Sequence, residues 1–424
     1  MFHNYEYCDI RQERDIMKVK EQKKQKRWML LRHKIITAIG VPIVGAYTRL
    51  KYGIDVQRFR QQGKRPYLIL YNHQTGFDQF FVAMAFRGPV YYMASEDIFS
   101  MGWVSDLIRF LAAPIPIKKQ TTDIQAVMNC IRVAREGGTI AIAPEGNRTF
   151  SGRTVYINPA IGSLAKKLGL PIALFRIEDG YGVQPRWSDV VRKGKMRAYV
   201  SRVIEPEEYK DKTPDALVSM IREGLEVNEA QVTGKFHHKN LAEYLERVLY
   251  VCPDCGLASF ETSGDLITCK SCGKQVRYLP TKELEGVNCQ VPFRFLLDWY
   301  DYQCDFVNNL DTAQLTEEPL FRDTAQLSEV IVYKHKNVLR QEAAVSLYGD
   351  RVVIDEGSEN ALVFPFADTH AFTVLGKNKL NIYSGKDVLQ LKGDKRFNAL
   401  KYVNLFHRFR NISKGDTYGK FLGL

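Results

Sequence analysis

A chain of 424 residues that is 45% hydrophobic and 25% charged is long enough for two or three globular domains, and its composition excludes a fibrous or broadly disordered protein. Against 48 Asp and Glu, 60 Lys and Arg leave a net charge of +12, which points to an anionic partner, either nucleic acid or an anionic membrane surface. Eight cysteines in a chain of this size do not suggest a disulfide scaffold, and no segment reaches the roughly 18 consecutive apolar residues of a spanning helix.

Near the N-terminus, residues 18–34 (KVKEQKKQKRWMLLRHK) set eight Lys or Arg against the single Glu21. An apolar run follows at 35–47, interrupted by Pro42 and two glycines. This pairing reads as an interfacial anchor over residues 1–50. Cations would meet anionic head groups while Trp28, Met29, Leu30 and Leu31 enter the acyl boundary. The competing readings are a solvated basic helix docked on its own domain and a signal peptide, for which no small-residue cleavage pattern follows.

Between residues 64 and 206, short apolar runs alternate with helix-like stretches. Strands are predicted at 67–71, 90–94, 115–118, 139–143, 171–177 and 196–203, with helices at 79–86, 124–136 and 159–167. This alternation predicts an α/β fold with a largely parallel core over residues 51–235. Gly137-Gly138 and Gly169-Leu170-Pro171 read as helix stops. Helical spacing also runs from Pro214 towards Tyr250, with KFHHKN (235–240) expected to be an exposed loop.

Two stretches of this region carry chemistry. The first, YNHQTGFDQF (71–80), follows an apolar run and sets His73 five residues ahead of Asp78. Five helical residues turn the chain by about 500°, so a direct His–Asp hydrogen bond needs a bend, which Gly76 would supply. Asp78 in the first helical turn would then fix the imidazole tautomer, leaving the other nitrogen to take a proton from an alcohol. With no GxSxG elbow in the chain, the nucleophile would come from the substrate. The second stretch, PEGNRT (144–149), follows a predicted buried strand. Gly146 permits close backbone approach, Arg148 offers a forked donor for phosphate, and Glu145 could bond a hydroxyl or orient that arginine.

Further along, CPDCG and CKSCG place Cys252, Cys255, Cys269 and Cys272 in two CxxC pairs separated by a predicted hairpin. That spacing predicts a structural zinc ribbon within residues 236–285, with all four ligands protein thiolates and no position left for substrate. Cys8, Cys130, Cys289 and Cys304 lack such spacing and read as free thiols in a reducing compartment. An aromatic helix is expected within 291–308, then a polar linker (286–328 overall) in which DTAQL occurs twice, at 311–315 and 323–327. Seven short alternating runs between 329 and 391 and an amphipathic segment at 397–412 resemble the pleckstrin-homology-like architecture, a small β-rich domain (329–424) closed by a helix.

Together the two chemical stretches resemble the glycerolipid acyltransferase family, of the 1-acylglycerol-3-phosphate type. Its NHxxxxD block is matched by Asn72, His73 and Asp78. Its FPEGTRS block is matched by Pro144, Glu145, Gly146 and Arg148, with Ala143, Asn147 and Thr149 departing from it. An intermediate block resembles APIPIKK (113–119), where Lys119 stands in for an arginine, and a last block resembles residues 170–177, where Pro171 is kept. The resemblance covers residues 30–230. It implies His73 as general base, Asp78 as its orienting partner, and Asn72, Lys119, Glu145, Gly146 and Arg148 as substrate-binding residues. Also implied are a lysophospholipid acceptor, most simply 1-acylglycerol-3-phosphate giving phosphatidic acid, and acyl-CoA or acyl carrier protein as donor. The expected location is cytoplasmic, peripheral on the inner face of the membrane. The alternatives are an acyltransferase for another lysolipid or an amine, and a zinc-ribbon protein that binds nucleic acid or lipid without turnover. The ribbon lacks a concentrated basic and aromatic surface, so nucleic acid is not the expected partner.

Overall fold

The computed structural model describes residues 27–117, 123–154, 156–331 and 335–415. The basic run before Arg27, Cys8 and Lys119 therefore lie outside the described residues. Helix α1 (Leu31–Tyr52) runs through Pro42 and stops at Gly53, whose φ of 60° is the left-handed conformation of a helix C-terminus. It feeds a seven-stranded sheet made of β1 (Ile54–Val56), β2 (Leu68–Tyr71), β3 (Val90–Ser95), β4 (Ile115–Ile117), β5 (Thr139–Ile142), β6 (Ile172–Glu178) and β7 (Met196–Ile204). The strand order is β1-β7-β6-β2-β5-β3-β4, and only the β6–β7 pair is antiparallel.

The central strands are apolar without interruption because both sheet faces are covered. Tyr67, Ile69 and Tyr71 pack with α2 (Asp78–Ala85) on one face, through Phe81, Val82 and Ala85. Leu68 and Leu70 pack on the other face with α4 (Ile124–Arg135), α5 (Ala160–Leu168) and α6 (Pro214–Leu225). The helix α3 (Trp103–Ala112) lies outside this core and exposes most of its surface. Asp123 caps α4 by accepting from Ala126 N–H, and Thr213 caps α6 in the same way with Pro214 behind it. Beyond α6 the helical spacing does not continue as a helix. Residues 226–244 are irregular, since Val227 and Phe236 bury individually in the domain instead of along one face.

The anchor residues divide. Trp28 and Met29 turn inward: their backbone N–H groups donate to the Glu136 carboxylate, Trp28 Nε1 donates to Ala113 O, and both side chains pack beside α4. Leu31, Ile35, Ile39, Ile43 and Tyr47 instead form an exposed stripe at four-residue spacing along α1. Trp103, Leu107, Phe110 and Leu111 of α3 are exposed as well, and Arg32 of α1 stacks on Phe110 at 4.4 Å. Among the described residues no helix is long and apolar enough to cross a membrane.

After the α/β domain come two short hairpin strands, β8 (Val251–Cys252) and β9 (Gly256–Leu257), and a four-stranded antiparallel sheet of β10 (Phe260–Ser263), β11 (Leu266–Cys269), β12 (Gln275–Tyr278) and β13 (Leu284–Gly286). Helix α7 (Leu296–Asn308) then packs its Trp299 against Phe260 and Phe293. The C-terminal region is a seven-stranded antiparallel sheet: β14 (Phe321–Ile331), β15 (His335–Leu347), β16 (Arg351–Ile354), β17 (Leu362–Pro365), β18 (Ala371–Leu375), β19 (Lys379–Ser384) and β20 (Asp387–Gly393). Its order is β17-β16-β15-β14-β20-β19-β18, closed by α8 (Leu400–Ser413). Within the described residues all seven runs read from the sequence lie in strands, but β14 begins at Phe321, inside the expected linker. There the second DTAQL supplies Ala325 and Leu327 to the core.

Candidate active site

Strand β2 ends at Tyr71, and the chain leaves it towards α2 on one face of the sheet. The neighbouring strand β5 ends at Ile142, and its chain leaves towards α5 on the opposite face. Such a divergence opens a crevice at the carboxyl ends of the strands. Both chemical stretches lie there.

His73 Nδ1 is 2.7 Å from Asp78 Oδ2. The bend that permits this contact is built by the aspartate rather than by glycine, because Gly76 does not adopt a positive φ. Asp78, fully buried as the first residue of α2, also accepts from Gln74 N–H (2.8 Å), Thr75 N–H (2.9 Å) and Thr75 Oγ1 (2.7 Å). Its carboxylate folds residues 73–75 around itself and fixes the ring at the same time. With Nδ1–H donated to Asp78, Nε2 is the nitrogen left to accept a proton. The side chain of His73 keeps one quarter of its surface open. Burial pulls the His73 imidazolium below its usual range; Asp78 opposes that, and the charges of Arg148 and Arg186 reinforce it. The net shift is downward, so the ring is neutral at neutral pH, as a general base requires.

The second stretch closes on the first. Glu145 Oε1 accepts from His73 N–H at 2.9 Å, and Thr149 N–H reaches His73 O at 3.4 Å. Gly146 has φ 72°, a left-handed turn conformation in which other residues are strained. A side chain there would touch nothing within 4 Å, so conformation and not space is what calls for glycine. Arg148 has no carboxylate or carbonyl partner among the described residues, although burial depresses its guanidinium while Asp78 and Tyr52 favour the charge. A half-buried guanidinium with no hydrogen-bonding protein acceptor among those residues keeps its forked donors free for an anion.

Asn72 does not face this crevice. Its amide donates to Ile177 O (2.8 Å) and accepts from Ile177 N–H (2.7 Å), tying the ends of β2 and β6 together while fully buried. Two residues not singled out from the sequence do belong to the crevice. Tyr52, the last residue of α1, sits in the field of Arg148 and Asp78, and burial pushes its hydroxyl up to about 12. Gln184 accepts from Gly76 N–H at 3.3 Å and bonds Tyr52. Neither residue has a local sequence signal, since each reaches the site from a distant element.

Residues 53–177 match the Acyltransferase family. The acyltransferase domain so delimited runs from β1 through β6 and contains His73, Asp78, Glu145, Gly146 and Arg148. No curated protein matches the chain. Among solved structures, the 1-acyl-sn-glycerophosphate (LPA) acyltransferase PlsC from Thermotoga maritima is similar at 19% identity, covering 43% of this chain and 74% of its own, with a TM-score of 0.37.

Away from the acyltransferase domain, the Sγ atoms of Cys252, Cys255, Cys269 and Cys272 all lie within 4.8 Å of one another, and Cys252 and Cys272 are 3.8 Å apart. A tetrahedral zinc with Zn–S of about 2.3 Å requires edges of about 3.8 Å, so the four thiolates fit that ion. No other such cluster of His, Cys, Asp or Glu occurs among the described residues. His237, in the loop read from the sequence, is exposed.

Proposed function

We propose that the chain transfers a fatty acyl group from a thioester, acyl-CoA or acyl carrier protein, to the free hydroxyl of a lysophospholipid, with 1-acylglycerol-3-phosphate the best fit. The observation that carries this reading is the 2.7 Å His73–Asp78 pair in one crevice with Arg148, whose guanidinium has no hydrogen-bonding protein acceptor among the described residues. His73 Nε2 takes the hydroxyl proton as the oxygen attacks the thioester carbonyl. The tetrahedral intermediate then expels the thiolate, and the imidazolium returns the proton to sulfur. Asp78 stabilises the imidazolium, while Arg148 holds the acceptor phosphate with a forked donor pair. Glu145 holds the backbone of His73, and Gly146 lets the loop turn at the crevice.

Zinc on the four cysteines is structural in this reading. Its ligand set is complete in thiolates, and Lys282 of the same ribbon reaches Glu229, just beyond α6, at 3.0 Å. The exposed apolar stripe of α1, next to α3, supports docking on the surface of a lipid bilayer, where an amphiphilic acceptor resides. A thiol-release assay with acyl thioester and a panel of lysolipids tests the proposal. Turnover should require a lysophospholipid and vanish in His73→Ala while the fold persists. Near-normal transfer by that variant would sink the mechanism.

A further inference from the structure

The peptide unit between Arg148 and Thr149 is gripped from two sides. Its N–H, on Thr149, faces His73 O at 3.4 Å, and its carbonyl, on Arg148, accepts from Arg186 at 2.8 Å. Arg186 is buried and donates twice more, to Val374 O at 3.1 Å and Gly376 O at 2.8 Å. Those two carbonyls lie at the end of β18 and in the β18–β19 turn of the C-terminal sheet. The same guanidinium stacks on Phe150 at 4.0 Å, and Phe150 O accepts from Tyr181. One side chain therefore fastens the phosphate-binding loop of the acyltransferase domain to a turn more than two hundred residues away.

A second clasp sits beside it. Lys377, in that turn, donates to Ser188 O at 2.6 Å and to Asp189 at 2.9 Å. Arg247 donates to the same carboxylate at 2.8 Å, to Trp187 O at 2.6 Å and to Lys395 O at 2.5 Å. Residues 186–189 are thus held on several sides by the C-terminal region. The cations are near enough to feel one another: burial and the neighbouring Arg148 hold the Arg186 guanidinium down at about 9. Planar, forked donation to three carbonyls is a task an ammonium cannot perform.

We propose that Arg186 is a positioning residue that sets Arg148 by joining its loop to the β18–β19 turn, so that the phosphate-binding half of the site is complete only with the C-terminal sheet docked. The consequence for acceptor binding rests on the function proposed above; the mechanical coupling does not. The test uses the full chain with Arg186→Lys and Arg186→Gln, and Lys377→Ala as a milder variant that leaves the Arg186 bonds in place. Hydrogen exchange is read over residues 144–150 and 374–378. Both segments should speed up together, about tenfold or more in the Arg186 variants and about threefold in Lys377→Ala, with β2 and the zinc ribbon unchanged. In turnover, KM for the lysophospholipid should rise about tenfold while kcat and the thioester KM stay within threefold. Faster exchange at 374–378 with 144–150 unaltered overturns the proposal, as does an equal rise in both KM values. If the Arg186 variants do not fold, Lys377→Ala decides by the same exchange readout. If the wild type consumes no thioester with any lysolipid, the proposed function fails while the exchange result still decides the coupling.

Discussion

Replacing Asp78 by Asn is nearly isosteric, yet it attacks the one group on which four donors converge. Oδ2 serves His73 Nδ1 and Gln74 N–H, while Oδ1 serves Thr75 N–H and the Thr75 hydroxyl. An amide turns one of those oxygens into a donor. With its NH2 towards Thr75, a buried backbone N–H loses its nearer partner; with its NH2 towards His73, Gln74 N–H is stranded and the ring is driven to the tautomer that carries its proton on Nε2. Each stranded donor costs about 1–3 kcal/mol, and weakening the charge-assisted bond to His73 adds about 1 kcal/mol. A stability loss of about 2–4 kcal/mol is therefore expected from the urea midpoint. Catalysis should suffer more. The first orientation no longer stabilises the imidazolium, the second abolishes the base, and general-base catalysis is worth about 10²–10⁴ in rate. Single-turnover thiol release should fall by at least a hundredfold at neutral pH in protein shown to be folded. A folded Asp78→Asn variant within tenfold of wild type would refute the assigned role of the pair.

Three further outcomes follow from the same geometry. Arg148 depresses the His73 imidazolium and Asp78 raises it, so the acidic limb of kcat/KM should move to higher pH in Arg148→Gln and to lower pH in Asp78→Asn; pH–rate profiles of the residual activity check both signs. Stripping the metal with a chelator should release one zinc per chain and lower Tm by roughly 5–10 °C, because the ribbon also carries Lys282 into its buried pair with Glu229; an unchanged Tm would remove zinc from the account. Ile35→Glu combined with Ile43→Glu removes two half-exposed apolar contacts from the α1 stripe, about 2 kcal/mol in all, and should weaken retention on anionic vesicles about thirtyfold in a sedimentation assay.

The sequence announced what local periodicity and spacing can encode. The central strands were visible because an uninterrupted apolar run has few other uses, and the four cysteines because their spacing is already that of two knuckles. Facing is a different matter. Trp28 and Leu31 belong to one short apolar cluster, yet Glu136 takes the backbone N–H groups of Trp28 and Met29 and turns those residues inward while Leu31 stays exposed. The two DTAQL copies make the point more sharply. At 311–315 Asp311 caps a 3₁₀ turn by accepting from Ala313 N–H, whereas at 323–327 the same five letters lie in β14, with Asp323 bonded to Lys401 and Tyr402. Identical local preference gives opposite structures because the second copy finds partner strands on both sides.

The same distinction separates the residues that touch substrate in the proposed reaction from those that hold them. His73, Asp78 and Arg148 lie within the segment that matches the Acyltransferase family, but that segment ends at residue 177, before Arg186, Tyr181 and Trp187. Phe150, Tyr181 and Trp187 do not pack in either core of the α/β sheet. They belong to the apolar core that runs through the zinc ribbon, α7 and the C-terminal sheet, together with Phe260, Trp299 and Phe372. A buried aromatic two residues after Arg148 is therefore covered by the appended regions, and removing them would expose it along with Tyr181 and Trp187. The end of the family-matched segment along the chain is not a boundary in the packing. The loop that carries the half-buried Arg148 is seated in that shared core through Phe150.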